Sequence, residues 1–236
     1  MTVRTTWLLD DLVLLEHADP GAQAAQLSTN SYAVLADGAS LIFDASFDYL
    51  LPPLRELAAA GKPPAGLVLS HRHVAGNGDL FAAFSAEFGV PVLMHPLDIA
   101  HPQALRSGAA FADVTASDLP ARFGLEVVYF PGQTEGSIML YRRRDGLLLA
   151  GDSAMGTTKP QDREGIRRLV RPPAQTSISD ALLRRNWESF DLPIAHIAPY
   201  HGTPVMHAGE LLPDLLASLS REPPTVDGSG RTPRER

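Results

Sequence analysis

The sequence predicts an α/β fold in one domain, and three observations carry that prediction. Residues 67–70 read as a short buried strand, 79–88 place Leu80, Phe81, Phe84 and Phe88 on one helical face, and 91–94 read as a second strand. A strand, a crossover helix and a strand in that order make a parallel pair, the unit of α/β architecture. Asp10-Asp11, Asp37-Gly38 and Asp145-Gly146 each separate two apolar runs, so each predicts a hairpin turn. The 236 residues are 44% hydrophobic, with no break in composition before residue 221. That is enough chain for one large core. Residues 1–220 are therefore expected to form one domain. Residues 221–236, rich in proline, glycine, serine and charge, are expected to be a disordered tail.

In order, the first hairpin joins 7–9 to 12–15, and the second joins 27–36 to 41–44. Residues 48–60 carry a helical stripe of Leu50, Leu51, Leu54, Leu57 and Ala58. Pro52 and Pro53 fit its first turn, where a missing N–H costs little, and Gly61 fits its stop. Residues 100–120 show no period and predict a loop with at most a short helix. Residues 125–130, 138–141 and 147–150 read as strands. Ser177-x-x-Asp180 resembles a capping box opening a helix that bears Ala181, Leu182, Leu183, Trp187 and Phe190. Trp187 and Phe190 are expected in the core. Residues 194–198 are the last strand and 208–220 the last helix.

The chain has no cysteine, which excludes disulfides and thiolate metal sites. Any metal has to be held by His, Asp, Glu or an amide oxygen. A formal net charge of -7 argues against a nucleic-acid partner. The N-terminal stretch lacks a basic region and a small-residue cleavage site, so no signal peptide or membrane span is expected, and a cytoplasmic protein is. Arg142, Arg143 and Arg144 read as a solvated face. Lys159, Arg163, Arg167, Arg168 and Arg171 form a second cluster. It reads as a solvated helix face balanced by Asp162 and Glu164, ahead of a groove wall meeting an anionic substrate.

The chemistry-bearing residues gather at predicted strand ends. His71 and His73 follow the strand at 67–70 with one residue between them. Imidazole is the commonest ligand for zinc and also binds iron, nickel and copper. This layout resembles the metallo-β-lactamase superfamily, whose signature is Thr/Ser-His-x-His-x-Asp-His-x-Gly. Ser70, His71, His73 and Gly78 fit the signature, while Ala75 stands for its Asp and Gly76 for its second-metal His. Three further motifs follow in the family's order. Pro131-Gly132-Gln133-Thr134-Glu135-Gly136-Ser137 is similar to its Pro-Gly-His-Thr-x-Gly-Ser turn, with Gln133 for the histidine. Gly151-Asp152 matches its bridging aspartate, and His201-Gly202 its last histidine. Asn30-Ser31-Tyr32 with Ile42-Phe43-Asp44 resembles its opening strands. The matches span nearly all of 27–205 and imply a four-layer αββα sandwich.

The resemblance also implies a ligand set. The first metal position keeps His71, His73 and Asp152, with Gln133 offering an amide oxygen. The second keeps Asp152 and His201 alone, so at most one divalent ion, zinc or iron, is expected, or none. Asp44 is expected behind the ligands as a hydrogen-bond acceptor. His95 reads as a helix-start residue. His17, His101, His196 and His207 read as surface or packing residues, and Tyr200 as a residue that could line the cleft. The function implied is that of a hydrolase of the glyoxalase II-related branch, acting on a small ester, thioester or lactone. Asp152 or His201 would accept the proton. Two rivals stand beside it: a metal-free protein whose cleft binds a ligand or partner, and a mononuclear iron oxidoreductase with two histidines and one carboxylate.

Overall fold

The computed structural model describes residues 3–17, 28–76, 79–206 and 211–219. The expected tail at 221–236, His207 and Gly78 lie outside them.

The chain begins with an antiparallel meander of β1 (Arg4–Leu9), β2 (Leu12–His17), β3 (Thr29–Ala36) and β4 (Ala39–Phe43). The turn between β3 and β4 is Asp37-Gly38, with φ of 46° and 75°. Two successive left-handed residues are what a two-residue hairpin of matching twist demands. Then α1 (Leu51–Ala59) crosses to β5 (Pro64–Val68), which pairs parallel to β4. After α2 (Arg72–Gly76) and α3 (Leu80–Phe88), β6 (Val92–Met94) pairs parallel to β5. Helices α4 (Pro96–Ile99) and α5 (Pro102–Leu105) lead to β7 (Ala112–Asp113), which closes a seven-stranded sheet.

The second sheet has five strands. It opens after α6 (Leu119–Arg122) with β8 (Glu126–Tyr129), β9 (Ile138–Arg142) and β10 (Leu147–Gly151), all antiparallel. Next come α7 (Lys159–Arg163) and α8 (Asp180–Glu188). Then β11 (His196–Pro199) pairs parallel to β10, β12 (Val205–Met206) forms the far edge, and α9 (Leu212–Ser218) follows.

Alternation along the strands builds the layers. Leu12, Leu14, Tyr32, Val34, Leu41 and Phe43 of the first sheet bury against Ile138, Leu140, Leu147 and Leu149 of the second. The opposite face of the first sheet, with Val13, Leu15 and Ile42, packs on Leu54 of α1 and on Leu80, Phe81 and Phe84 of α3. The outer face of the second sheet packs Met139 and Leu148 on Leu183 and Trp187 of α8 and Leu215 of α9. This is the expected αββα sandwich.

Four sequence expectations need correction. Residues 100–120 are not a loop: they hold α5, β7, a 3-10 turn at Val114–Ala116 and the start of α6. Helix α8 is capped by Ser179, whose side chain accepts from the Leu182 N–H, and not by Ser177. Arg142 is not on a solvated face: it is 1% exposed, with Asp11 and Asp145 as partners. Helix α7 ends at Arg163, so Arg167, Arg168 and Arg171 are not one helix face. Two of these three are paired, Arg167 with Asp162 and Arg171 with Asp180. His95 does start a helix, accepting from the Leu97 N–H, and Trp187 is buried with Phe190 packed against its cluster.

Candidate active site

Parallel pairing brings the candidate residues together. Strands β4 and β5 end side by side, so Asp44 and Ser70 emerge as neighbours: the Asp44 N–H donates to Val68 O at 3.0 Å, and Asp44 Oδ1 accepts from the Ser70 N–H at 2.7 Å. Strands β10 and β11 do the same for Asp152 and the Tyr200–His201 pair, with Tyr200 N–H to Gly151 O at 2.8 Å. Cross-links then join the two sheet ends. The Ile138 N–H donates to Ser70 O at 2.9 Å, and Asn30 Nδ2 donates to Pro199 O at 3.0 Å. Gly151 has φ of 54°, and a Cβ there would lie 2.5 Å from Ser70 Oγ. Only glycine lets β10 end against Ser70, and that close approach delivers Asp152.

His71 is buried. Its Nδ1 lies 2.8 Å from Ser70 Oγ, and its Nε2 faces Asp152 Oδ2 at 3.5 Å. Both His71 Nε2 and Asp152 Oδ1 are buried without a hydrogen-bond partner. The His73 ring stands edge-on to His71, with centroids 5.0 Å apart. Gln133 reaches His73 with its Nε2, 3.4 Å from Nδ1. His201 has contacts of its own: Nδ1 lies 3.4 Å from Thr29 Oγ1, and its ring packs on Tyr200. Tyr200 is buried in the helix-side core.

The charges follow from burial and proximity. Burial and the nearby His71 hold His73 down, to about 4, so it is neutral at neutral pH with a lone pair to offer. Burial would also lower His71, but the facing carboxylate of Asp152 and the charges of Asp44 and Asp98 outweigh it and raise the imidazole. Burial would raise Asp152, yet His201, His71 and His73 together hold it below the usual carboxylate range. Asp44, with burial dominant, is pushed up to about 7.

Donor spacing decides what the group can hold. Two donors on one tetrahedral zinc at about 2.1 Å lie roughly 3.4 Å apart. The pair His71 Nε2 and Asp152 Oδ2, at 3.5 Å, matches that spacing, whereas Gln133 faces His73 with its amine, which offers a metal no lone pair. Among the described residues, however, no three His, Asp or Glu side chains form a metal-holding group. Ala75 and Gly76, on α2, bring no donor. Ala75 is buried in the helix-side core, and a Cβ at Gly76 would lie 2.5 Å from Gln103 Cγ.

Several residues here carried no sequence signal. Ser177 Oγ donates to Gln133 Oε1 at 2.7 Å, and Gln133 Nε2 donates to Thr176 Oγ1 at 3.3 Å. Asp98, fully buried, binds Arg72 and Thr134. A groove of about 640 Å³ is lined by Arg4, Glu16, Ser28, Lys159, Arg163 and Thr203, and none of the candidate ligands lines it. Its charges are largely matched, since Glu16 pairs with both Arg4 and Lys159.

No helix among the described residues is long and apolar enough to cross a membrane. The family model described as the metallo-β-lactamase superfamily matches residues 24–224. The fold is similar to the DIM-1 metallo-β-lactamase, with a TM-score of 0.70 and 15% identity over 92% of this chain and 96% of that one. It is similar also to a metallo-β-lactamase from Pontibacter korlensis, at 0.68 and 14% over 94% and 100%. A metallo-β-lactamase from Erythrobacter litoralis aligns at 0.66 and 17% over 92% and 97%. At such identities the likeness speaks for the fold alone. No curated protein matches the chain. With its two sheets, its ordered strand-end motifs and a family match over 24–224, the chain belongs to the metallo-β-lactamase superfamily.

Proposed function

We propose that this hydrolase-like chain acts on a small ester, thioester or lactone with at most one divalent ion, held by His71, His73 and Asp152. The observation that carries this reading is the buried pair His71 Nε2 and Asp152 Oδ1, both without hydrogen-bond partners. Leaving such atoms buried and unpaired costs about 1–3 kcal/mol each, more for a charge, and one cation relieves both. His71, His73 and Asp152 are the donors proposed for one ion, with the His71–Asp152 pair at ligand spacing. They do not fit two, because the second position has only Asp152 and His201. When bound, a divalent ion there polarises a carbonyl and lowers the pKa of water.

The chain's own residues do the rest. Ser70 holds His71 by Nδ1, so Nε2 faces Asp152. Asp152, held below the usual carboxylate range, is one candidate proton acceptor, through whichever oxygen an ion leaves free, and His201 is the other. Because Ala75 replaces the signature carboxylate, turnover is expected to be low. Zinc suits this donor set, and so does iron(II).

One observation favours the metal-free alternative: Gln133 turns its amine, not its carbonyl, toward His73. Metal analysis of protein purified without chelator or tag metal tests the reading. One equivalent, lost in His71→Ala, together with hydrolysis of a panel of small esters, thioesters and lactones, is the expected result. Two equivalents bound at neutral pH would overturn it, and so would metal that survives both His71→Ala and Asp152→Ala.

A further inference from the structure

The seven-stranded sheet ends on β1, and no described strand lies on its outer side. Among the described residues the two sheets have four edge strands. Strands β7 and β12 are two residues long and β8 is four, so β1, with six, is the longest. An open edge offers a row of backbone N–H and C=O groups to another strand, and short length, proline, lysine and bulges are the usual protections. Strand β1 has no proline and no lysine. The one irregularity in its pairing falls at Leu8, since Trp7 pairs with Val13 and Leu9 with Leu12, so residues 4–7 are regular.

The register gives β1 two different faces. Arg4, Thr6 and Leu8 line the groove together with Leu14 and Glu16. Thr5 and Trp7 pair with Leu15 and Val13, which belong to the helix-side core. Trp7 is nevertheless 58% exposed, one of the two most exposed large hydrophobic side chains among the described residues. A tryptophan ring left in water beside an open edge is the kind of side chain that interfaces collect.

The sequence of β1 fits itself in one register. Residues that face each other across an antiparallel pair share a sheet face, so a two-fold axis has to pass through a residue. An axis on Trp7 sets Thr5 of the helix side against Leu9, which pairs with Leu12 on the inner face. An axis on Thr5 brings the two Arg4 side chains diagonal to each other, like charge to like. An axis on Thr6 avoids both faults. Thr6 then faces Thr6, Thr5 faces Trp7 of the other copy, and Arg4 falls at the end of β1 that leads into Asp10, an exposed acid. Both ends of the pair repeat that match of opposite charges. The two Trp7 rings lie diagonal to each other across the axis, within reach of aromatic side chains.

We propose that the chain pairs with a second copy of itself through β1, antiparallel and centred on Thr6, so that the two seven-stranded sheets join edge to edge. The pairing covers the longest open edge and both exposed tryptophans at once.

The chain has no cysteine, so a single introduced one reads the register. Facing Cα atoms of an antiparallel pair lie about 4.5–5.5 Å apart, inside the span of a disulfide. After air oxidation and without reductant, Thr6→Cys is expected to run as a covalent dimer, and Thr5→Cys, which faces Trp7, to stay mostly uncrosslinked. Sedimentation of the wild type over a dilution series should show a reversible dimer, and Trp7→Lys should dimerise at least about tenfold more weakly. A wild type that is monomeric at every concentration would overturn the proposal. A dimer of undiminished strength in Trp7→Lys would do so too, as would cross-linking of Thr6→Cys no better than that of Thr5→Cys. Thermal melts check the fold of each variant. Where Trp7→Lys melts below the wild type, the cysteine pair decides, because it leaves Trp7 in place.

Discussion

Arg72 and Asp98 grip each other at two points: the Arg72 N–H donates to Asp98 Oδ2 at 2.8 Å and Arg72 Nη1 to Oδ1 at 3.0 Å. The same carboxylate accepts from Thr134 Oγ1 at 2.6 Å and from the Gly136 N–H at 3.0 Å. One buried group thus ties the histidine loop to the turn that carries Gln133. A carboxylate with four donors is well compensated; removing it strands the Arg72 and Gly136 N–H groups and leaves Arg72 Nη1 to Glu135 and Thr134 Oγ1 to Ser137. Asp98→Ala is expected to lose about 3–5 kcal/mol in urea denaturation. Asp98→Asn should lose less, because one oxygen remains to accept. Equal stability of wild type and Asp98→Ala would show that the tie contributes nothing.

Arg142 makes a second buried tie, between the turns of the two sheets. Its Nη1 donates to Asp11 Oδ2 at 2.9 Å, and its Nε and Nη2 to Asp145 at 3.0 and 2.7 Å. Both carboxylates are partly exposed, so water can serve them if the arginine goes. Arg142→Met keeps the buried stem and should cost about 1–2 kcal/mol, whereas Arg142→Ala also opens a void and should cost about 3 kcal/mol or more. Burial would raise Asp145, but Arg142 overrides it and holds the acid below its ordinary value. A depressed carboxyl adds stability above its unfolded pKa, and that stability is lost as pH falls through the lower folded value. Stability of the wild type should therefore fall more steeply below about pH 4 than that of Arg142→Met. Parallel acid profiles for the two would refute this assignment.

Asp44 gives the opposite sign. It is fully buried, its Oδ2 has no hydrogen-bond partner, and its pKa is raised to about 7 from 3.8. Between those values the folded chain holds a proton that the unfolded chain has released. Stability from this group therefore falls as pH rises through that window. Asp44→Asn keeps an acceptor for the Ser70 N–H, and asparagine tolerates the left-handed backbone found there, with φ of 56°. In chelator-treated protein, Asp44→Asn should be more stable than the wild type at pH 8 by at least about 1 kcal/mol, with the gap closing toward pH 4. A gap that grows toward acid would reverse the assignment.

The contrast between these ties and the site shows what the sequence made legible. Strands were readable because their turns are local: Asp37-Gly38 and Asp145-Gly146 announce their hairpins within two residues. The places of His71, Asp152 and His201 just beyond strands were readable because their motifs follow strands in a fixed order, while His73 lies in the first turn of α2. Arg142 was not, because one of its acceptors, Asp11, lies 131 residues away in sequence. The Gln133 orientation was hidden for the same reason, since Ser177 stands 44 residues on. Residues 100–120 were missed because their helices are one turn long and carry no period. The cue there was His101-Pro102, in which His101 accepts from the Gln103 N–H and Pro102 takes the first turn.

Rebuilding the full ligand set tests how far α2 has diverged. The obvious changes are Ala75→Asp, Gly76→His and Gln133→His. The backbone is no obstacle at Gly76, which is not among the residues of positive φ. The obstacle is a side chain: a Cβ there meets Gln103 Cγ at 2.5 Å and Nε2 at 2.9 Å. Gln103 sits on α5 and is long and flexible, so it can yield, but only by giving up the place it fills beside α2. Overpacking of this kind costs about 1–3 kcal/mol. Gly76→His alone should show that loss in urea denaturation, and Gln103→Ala should recover most of it, giving a coupling of about 1 kcal/mol or more between the two sites. Ala75→Asp adds a second difficulty, because Ala75 is buried among Val74, Leu80 and Phe81 of the helix-side core. A carboxylate there is tolerated only when a cation draws it out. The triple variant is therefore expected to fold poorly without metal, and the quadruple variant with Gln103→Ala to take up two zinc ions and fold on doing so. The check is zinc stoichiometry alongside thermal melts with and without zinc. A quadruple variant that folds well without zinc and still binds at most one ion would mean that α2 no longer aims its side chains at the cleft.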